Sequence, residues 1–299
     1  MHYFVMMQNQ NFYPAKILLF GEYSIIAGSR ALATPLNIYS GSWQKNTVSP
    51  HVHTLQEWVK YIEKLNGSTT WDITKFEEDI NNGLDFNSSI PLGYGLGSSG
   101  ALVAGFYDQY TYHKSTDIAE LKEILSLLES FFHGKSSGID PIVSYIRQTV
   151  FIGDGGNFLT MPELPGVKSD IFFLNSGRSR KTEPLVKHFQ HKMTDSRFKK
   201  NLQFLVLAQE AAIDYWLQDD YDGIFKAFEE ISKWQWENMS EFIPEGHQQI
   251  WKEGLDTGDY FLKLCGAGGG GATLGIRSRT HKSGSELTLS NPVFCFSEI

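Results

Sequence analysis

Pro91-Leu92-Gly93-Tyr94-Gly95-Leu96-Gly97-Ser98-Ser99-Gly100 leads without interruption into Ala101-Leu102-Val103-Ala104-Gly105-Phe106. Alternating glycines followed by an apolar run of small residues predict a loop that opens directly into a buried helix. The first amides of a helix lack internal partners and lie at the positive end of its dipole, so they bind anions. Glycines ahead of them let backbone N–H groups converge without Cβ obstruction. The stretch therefore proposes a nucleotide-phosphate site. It lacks the Lys of G-x-x-x-x-G-K-[ST], since Leu96-Gly97 precede Ser98, and its spacing is not that of the dinucleotide G-x-G-x-x-G. Capping of the helix by a serine is the competing explanation, because Ser is a favoured N-cap.

The rest of the chain bounds the class of protein. At 299 residues, with 41% hydrophobic and 20% charged residues, it reads as a globular protein of two ordinary domains. A net charge of −8 speaks against nucleic acid or an anionic membrane as a general partner. No apolar run approaches the length of a membrane span. The start, Met1 to Gln8, lacks the basic and apolar regions of a signal peptide. Cys265 and Cys295 are too few for a disulfide framework, and a reduced, cytoplasmic setting is expected.

Pro14 to Phe20 reads as a buried strand with a lone Lys16, and Ala31 to Ile38 as a second. Residues 40 to 90 are polar and poorly patterned, with helices expected over Gln56 to Leu65 and Lys75 to Asn81. Helices are expected from Ser99 to His113 and from Asp117 to Phe132, the second opened by an Asp cap. Thr149 to Ile152 and Asp170 to Leu174 read as strands, with a domain boundary at Pro162 to Gly166. The C-terminal half predicts helices over 182–192, 196–217, 221–242 and 245–255. Strands follow at Tyr260 to Leu264, Ala272 to Ile276 and Pro292 to Phe296. This mixture without regular βαβ alternation predicts an α+β fold.

Three further segments carry chemistry. In Glu129-Ser130-Phe131-Phe132-His133-Gly134-Lys135-Ser136-Ser137-Gly138-Ile139-Asp140, Glu129 and His133 share a helix face. A Glu, small polar residues and an Asp in one hairpin suit a magnesium–phosphate site, although Asp140 could equally be a plain N-cap. Cys265 to Ala272 holds more glycines than a hairpin turn needs, which favours close approach to a ligand over a flexible turn. Lys16 is costly in a buried strand unless paired, and Asp140 is its natural partner; a strand-edge lysine reaching solvent is the alternative. His51 with His53, and His188 with His191, lack spaced partners for a metal and read as surface residues. Phe225, Phe228, Ile231 and Trp234 form an apolar helical stripe, expected in the core.

Together these segments resemble the GHMP kinase superfamily, and mevalonate kinases most of all. Lys16 to Tyr23 is similar to the first motif of that family, and Pro91 to Ala101 to P-x-G-x-G-L-G-S-S-A apart from Gly100. His133 to Asp140 resembles H-G-x-P-S-G-x-D, and Gly266 to Gly271 the third motif. The resemblance implies two domains, 1–165 with a ribosomal protein S5 domain 2-like fold and 166–299 with a ferredoxin-like fold. It implies ATP and Mg²⁺ as cofactors and transfer of the γ-phosphoryl group to the hydroxyl of a small molecule. Mevalonate is the first expectation for that acceptor and phosphomevalonate the second, ahead of homoserine or a sugar. Gly93, Gly95, Leu96, Gly97, Ser98, Ser99 and Gly100 would wrap the ATP phosphates, with Ser99 and Glu129 on the metal. Asp140 would accept or orient the hydroxyl proton, and Lys16 would assist it. Glu22, Tyr23, His133, Ser137, Thr182, Gly268 and Gly269 would contact the acceptor. Arg178, Arg180 or Lys181 could offset its charge, and Thr182 could instead simply cap a helix.

Two departures loosen the substrate. Tyr23 stands where mevalonate kinases carry His, and Ser136 where they carry Pro. A monomer or homodimer is expected, and no membrane partner. A decarboxylase of the same fold is a further alternative, as is a nucleotide-binding sensor without turnover, although Lys16, Ser99, Glu129 and Asp140 are all present.

Overall fold

The computed structural model describes residues 12–46, 50–65, 70–153, 157–161, 170–179, 182–280 and 293–295. Its contacts define two compact units interleaved along the chain. The first comprises Met1–Lys16, Pro35–Ile90 and Gly97–Gln148, the second Ile17–Thr34, Pro91–Leu96 and Thr149–Ile299. Strands β1 (Phe12–Phe20) and β2 (Ala31–Lys45) each contribute residues to both. The boundary expected at Pro162 to Gly166 falls within 162–169, outside the described residues.

The first unit continues with α1 (Val52–Ile62), α2 (Ile73–Asn81), β3 (Leu84–Ser88), α3 (Ser98–Tyr110), α4 (Ile118–His133) and α5 (Ile139–Ile146). Helix α1 buries Leu55, Trp58, Val59 and Ile62, the spacing of one helical face. Asp72 and Asp117 cap α2 and α4 by accepting from Lys75 N and Glu120 N. Trp58, Phe76 and Phe106 form the aromatic centre, with ring centroids 4.9 to 5.9 Å apart. Strand β2 runs well past Ile38, because Gly41–Lys45 pair antiparallel with Leu84–Ser88. Gly41 makes room for this: a Cβ there would lie 2.2 Å from the Phe86 ring.

In the second unit lie β4 (Thr149–Ile152), β5 (Phe158–Met161), β6 (Ile171–Asn175), α6 (Thr182–Lys192), α7 (Ser196–Leu217), α8 (Tyr221–Met239), α9 (Glu245–Thr257), β7 (Tyr260–Leu264), β8 (Ala272–Arg277) and β9 (Val293–Cys295). The helical run expected to Phe242 breaks after Met239 into a 3-10 turn, Ser240–Phe242. One sheet has strand order β1-β2-β4-β5 with β3 on β2; the other is antiparallel, β7-β8-β6-β9. Asp195 and Asp220 cap α7 and α8. Phe228 and Ile231 of α8 are fully buried, with Trp234 beside them in the core. Among the described residues no helix is long and apolar enough to cross a membrane.

Candidate active site

Gly97, in a left-handed conformation, stands at the start of α3, and no side chain caps that helix. The serine-cap explanation therefore does not describe Ser99. Its hydroxyl donates instead to Glu129 Oε1 at 2.9 Å, which leaves the helix to end in backbone amides, as an anion site requires. Glu129 lies near the C-terminal end of α4 and is 3% exposed. Ser136 donates to its second oxygen, Oε2. Burial pushes the Glu129 carboxyl up to about 7, the nearby Asp140 carboxylate adding to the shift and the two hydroxyls opposing it. One turn on, His133 Nε2 lies 2.9 Å from Ser99 Oγ.

Asp140 falls in the first turn of α5, but Gly138 is the N-cap, so the plain-cap alternative fails. Its Oδ1 lies 2.6 Å from Lys16 Nζ, with the two side chains 29% and 11% exposed. Lys16 comes from the middle of β1, between fully buried Ala15 and Ile17. It is thus an interior lysine with a carboxylate partner rather than a strand-edge one. Gly100 accounts for its own departure from the resembling signature. A Cβ at this position would lie 2.7 Å from the Asp140 carbonyl carbon and the Pro141 nitrogen. The absent side chain allows α3 to press directly on the backbone that carries Asp140.

Ser99 and Glu129 offer a hydroxyl and a carboxylate, hard oxygen donors of the kind Mg²⁺ accepts while keeping waters and phosphate oxygens as its other ligands. The fit is also electrostatic: a buried carboxylate held up to about 7 gains from an adjacent cation. Among the described residues no group of three or more His, Cys, Asp or Glu could hold a metal, as a protein-only metal cage would require.

Gly93, Gly95 and Leu96 belong to the second unit and Gly97 to Gly100 to the first. Glu22 and Tyr23 lie in the interior of the second unit. Glu22 Oε1 is 2.6 Å from Lys263 Nζ, both side chains fully buried, and Tyr23 donates to the Ala267 carbonyl at 2.7 Å. The Tyr23 ring packs on Phe189 at 4.3 Å. The close approach expected of the 266–271 glycines is to the chain itself. A Cβ on Gly268 would lie 2.3 Å from the Phe242 carbonyl oxygen, and one on Gly271 2.6 Å from that of Tyr94. The Gly271 amide donates to Arg178 O at 2.9 Å, and that of Gly269 to Phe242 O. His133, Ser137 and Gly269 are exposed. Thr182 opens α6 with its side chain outside the described residues, as are Arg180 and Lys181. Arg178 pairs with Glu245 at the surface.

Sequence reasoning missed Lys263 and Ser136 as partners. Lys263 sits 241 residues from Glu22 in an ordinary-looking strand; Ser136 was visible only as a departure from proline.

Residues 56–148 match the family model described as "GHMP kinases N terminal domain". Mevalonate kinase of Thermococcus onnurineus is 27% identical over 58% of this chain and 59% of its own length. That of Thermococcus gammatolerans is 26% identical over 61% and 62%. The matches thus span about 60% of these relatives. Among solved structures, Methanococcus jannaschii mevalonate kinase superimposes with a TM-score of 0.61 at 18% identity, covering 95% of this chain and 96% of that one. Streptococcus pneumoniae phosphomevalonate kinase gives 0.63 at 15% identity, covering 89% and 90%. Residues 56–148 are thus similar to a GHMP kinase N-terminal domain, and the chain has the fold of these solved kinases.

Proposed function

We propose that this chain is an ATP-dependent kinase that transfers the γ-phosphoryl group to a hydroxyl of mevalonate. The observation that carries the proposal is the Lys16–Asp140 pair against the glycine-lined start of α3. Amides from Gly93 to Gly100 would receive the phosphates, and Ser99 and Glu129 would hold Mg²⁺. Bound there, Mg²⁺ neutralises charge on the phosphoryl oxygens. Asp140 would take or orient the acceptor hydroxyl proton, while Lys16 would hold that carboxylate in place and offset negative charge developing on the hydroxyl oxygen. His133 and Ser137 are exposed and open to an acceptor. The division into 1–165 and 166–299 and a cytoplasmic setting belong to the same proposal.

ADP release with ATP and Mg²⁺ against mevalonate, phosphomevalonate, homoserine and galactose tests it. Turnover with mevalonate well above the other three is expected. Preference for phosphomevalonate would reassign the acceptor; ATP binding without turnover on any of them would make the chain a nucleotide sensor.

A further inference from the structure

We propose that Ser136 is a positioning residue for Glu129, aiming the carboxylate at the cation that Ser99 and Glu129 share. This rests on the metal role given to those two residues above.

Every polar group of Ser136 is engaged. Its N–H donates to Ser130 Oγ at 3.2 Å, and its carbonyl accepts from Ser126 Oγ at 2.7 Å. Its hydroxyl oxygen accepts from Gly138 N at 2.9 Å, and its hydroxyl proton goes to Glu129 Oε2. The Gly138 amide occupies one lone pair of that oxygen, and toward an ionised carboxylate, which has no proton to give, the hydroxyl is the donor. The residue is thus clamped to α4 by two serines and to the start of α5 by an amide, with its one free proton directed at Glu129.

Ser99 makes the corresponding bond to Oε1, but the two hydroxyls have different duties. As a ligand, Ser99 would offer a lone pair to the same cation as Glu129, so its place is set by the cation as well as by the carboxylate. Ser136 has no second duty and keeps Oε2 fixed. Hydrogen-bond partners one step outside a metal site orient its ligands in this way, and their loss typically weakens metal binding about 10- to 100-fold. Proline, found here in the resembling segment, offers neither the hydroxyl nor the N–H. In this chain the serine is therefore a device of its own.

Mn²⁺ is a suitable probe, titrated into the full chain in the presence of ADP, with free Mn²⁺ read by electron paramagnetic resonance. Ser136→Ala should weaken nucleotide-dependent Mn²⁺ binding about 10-fold or more and leave metal-free ADP binding unchanged; Ser136→Thr, which keeps the hydroxyl, should restore it. Ser126→Ala, which loosens the same loop without touching the Glu129 bond, should lower the Tm and leave Mn²⁺ affinity near that of the parent. If Ser136→Ala does not fold, Ser136→Cys keeps the size, loses most of the hydrogen bond, and should weaken Mn²⁺ in the same direction. Unchanged Mn²⁺ affinity in the Ser136 variants, or an equal loss in Ser126→Ala, overturns the proposal. A parent protein with no nucleotide-dependent Mn²⁺ site overturns the metal role of Ser99 and Glu129, and this inference with it. Because the readout is metal binding, failure to find the acceptor leaves it intact.

Discussion

Two lysines in the interior of strands each hold a carboxylate at 2.6 Å, and they differ in what else can reach them. Lys263 and Glu22 are sealed, at 0% side-chain exposure, so no reactant can approach them. Lys16 and Asp140 are partly open, at 11% and 29%. Identical chemistry in a closed place gives a strut, and in a half-open place gives a pair that a reactant could reach. A third carboxylate sharpens the contrast. Glu129 is nearly as buried as Glu22, but its direct partners are hydroxyls rather than a cation.

The largest effect should fall on the open pair. Asp140→Asn should lower kcat by about 10²- to 10⁴-fold, as expected for loss of a general base, while ATP still binds. Turnover and nucleotide titration check this together, and a near-normal kcat would remove the chemical half of the contrast. In folding stability the order should reverse. Lys263→Met takes the cation away from a buried carboxylate and should cost about 3–5 kcal/mol by urea titration, most of it recovered in Lys263→Met/Glu22→Leu. Lys16→Met should cost only about 1 kcal/mol, because Asp140 stays partly solvated. If Lys16→Met proves the more destabilising of the two, burial is not what separates the pairs.

The third effect concerns Glu129 and depends on pH. Its ionised form is disfavoured in the fold, raising it from an ordinary 4.5 to about 7. Stability present below pH 4.5 is therefore lost as the pH climbs through about 7. Glu129→Gln cannot ionise, so relative to the parent it should gain about 1–3 kcal/mol between pH 4 and pH 8 in metal-free buffer. A flat difference between the two proteins across that range would mean that burial does not hold back the ionisation of Glu129.

Legibility from sequence tracked how local each signal was. Helix α4 announced itself through Asp117, which caps it within three residues, whereas the equivalent caps Asp195 and Asp220 of α7 and α8 passed unread. The pairing of Lys16 with Asp140 could be inferred because a buried lysine requires a carboxylate and few stood in chemical context. Strand β5 could not, since Leu159 and Thr160 are exposed and give no apolar alternation. The far end of β2 was hidden because Gly41 reads as a turn residue, whereas its bare backbone serves to admit the Phe86 ring. Gln209 left no mark either, yet it grips the Gly21 amide and the Glu22 carbonyl from α7. Contacts of that span leave no periodicity in either partner's neighbourhood.

Gly100 can be viewed as a spacer of zero thickness. The start of α3 and the backbone bearing Asp140 are gauged against one another by a gap that one methyl group would overfill, a Cβ there lying 2.7 Å from Asp140 carbonyl carbon. A chain with alanine at this point must set its carboxylate further from its glycine loop. Position 100 is therefore a dial on the separation between the start of α3 and the Asp140 carboxylate, with this protein at its shortest setting.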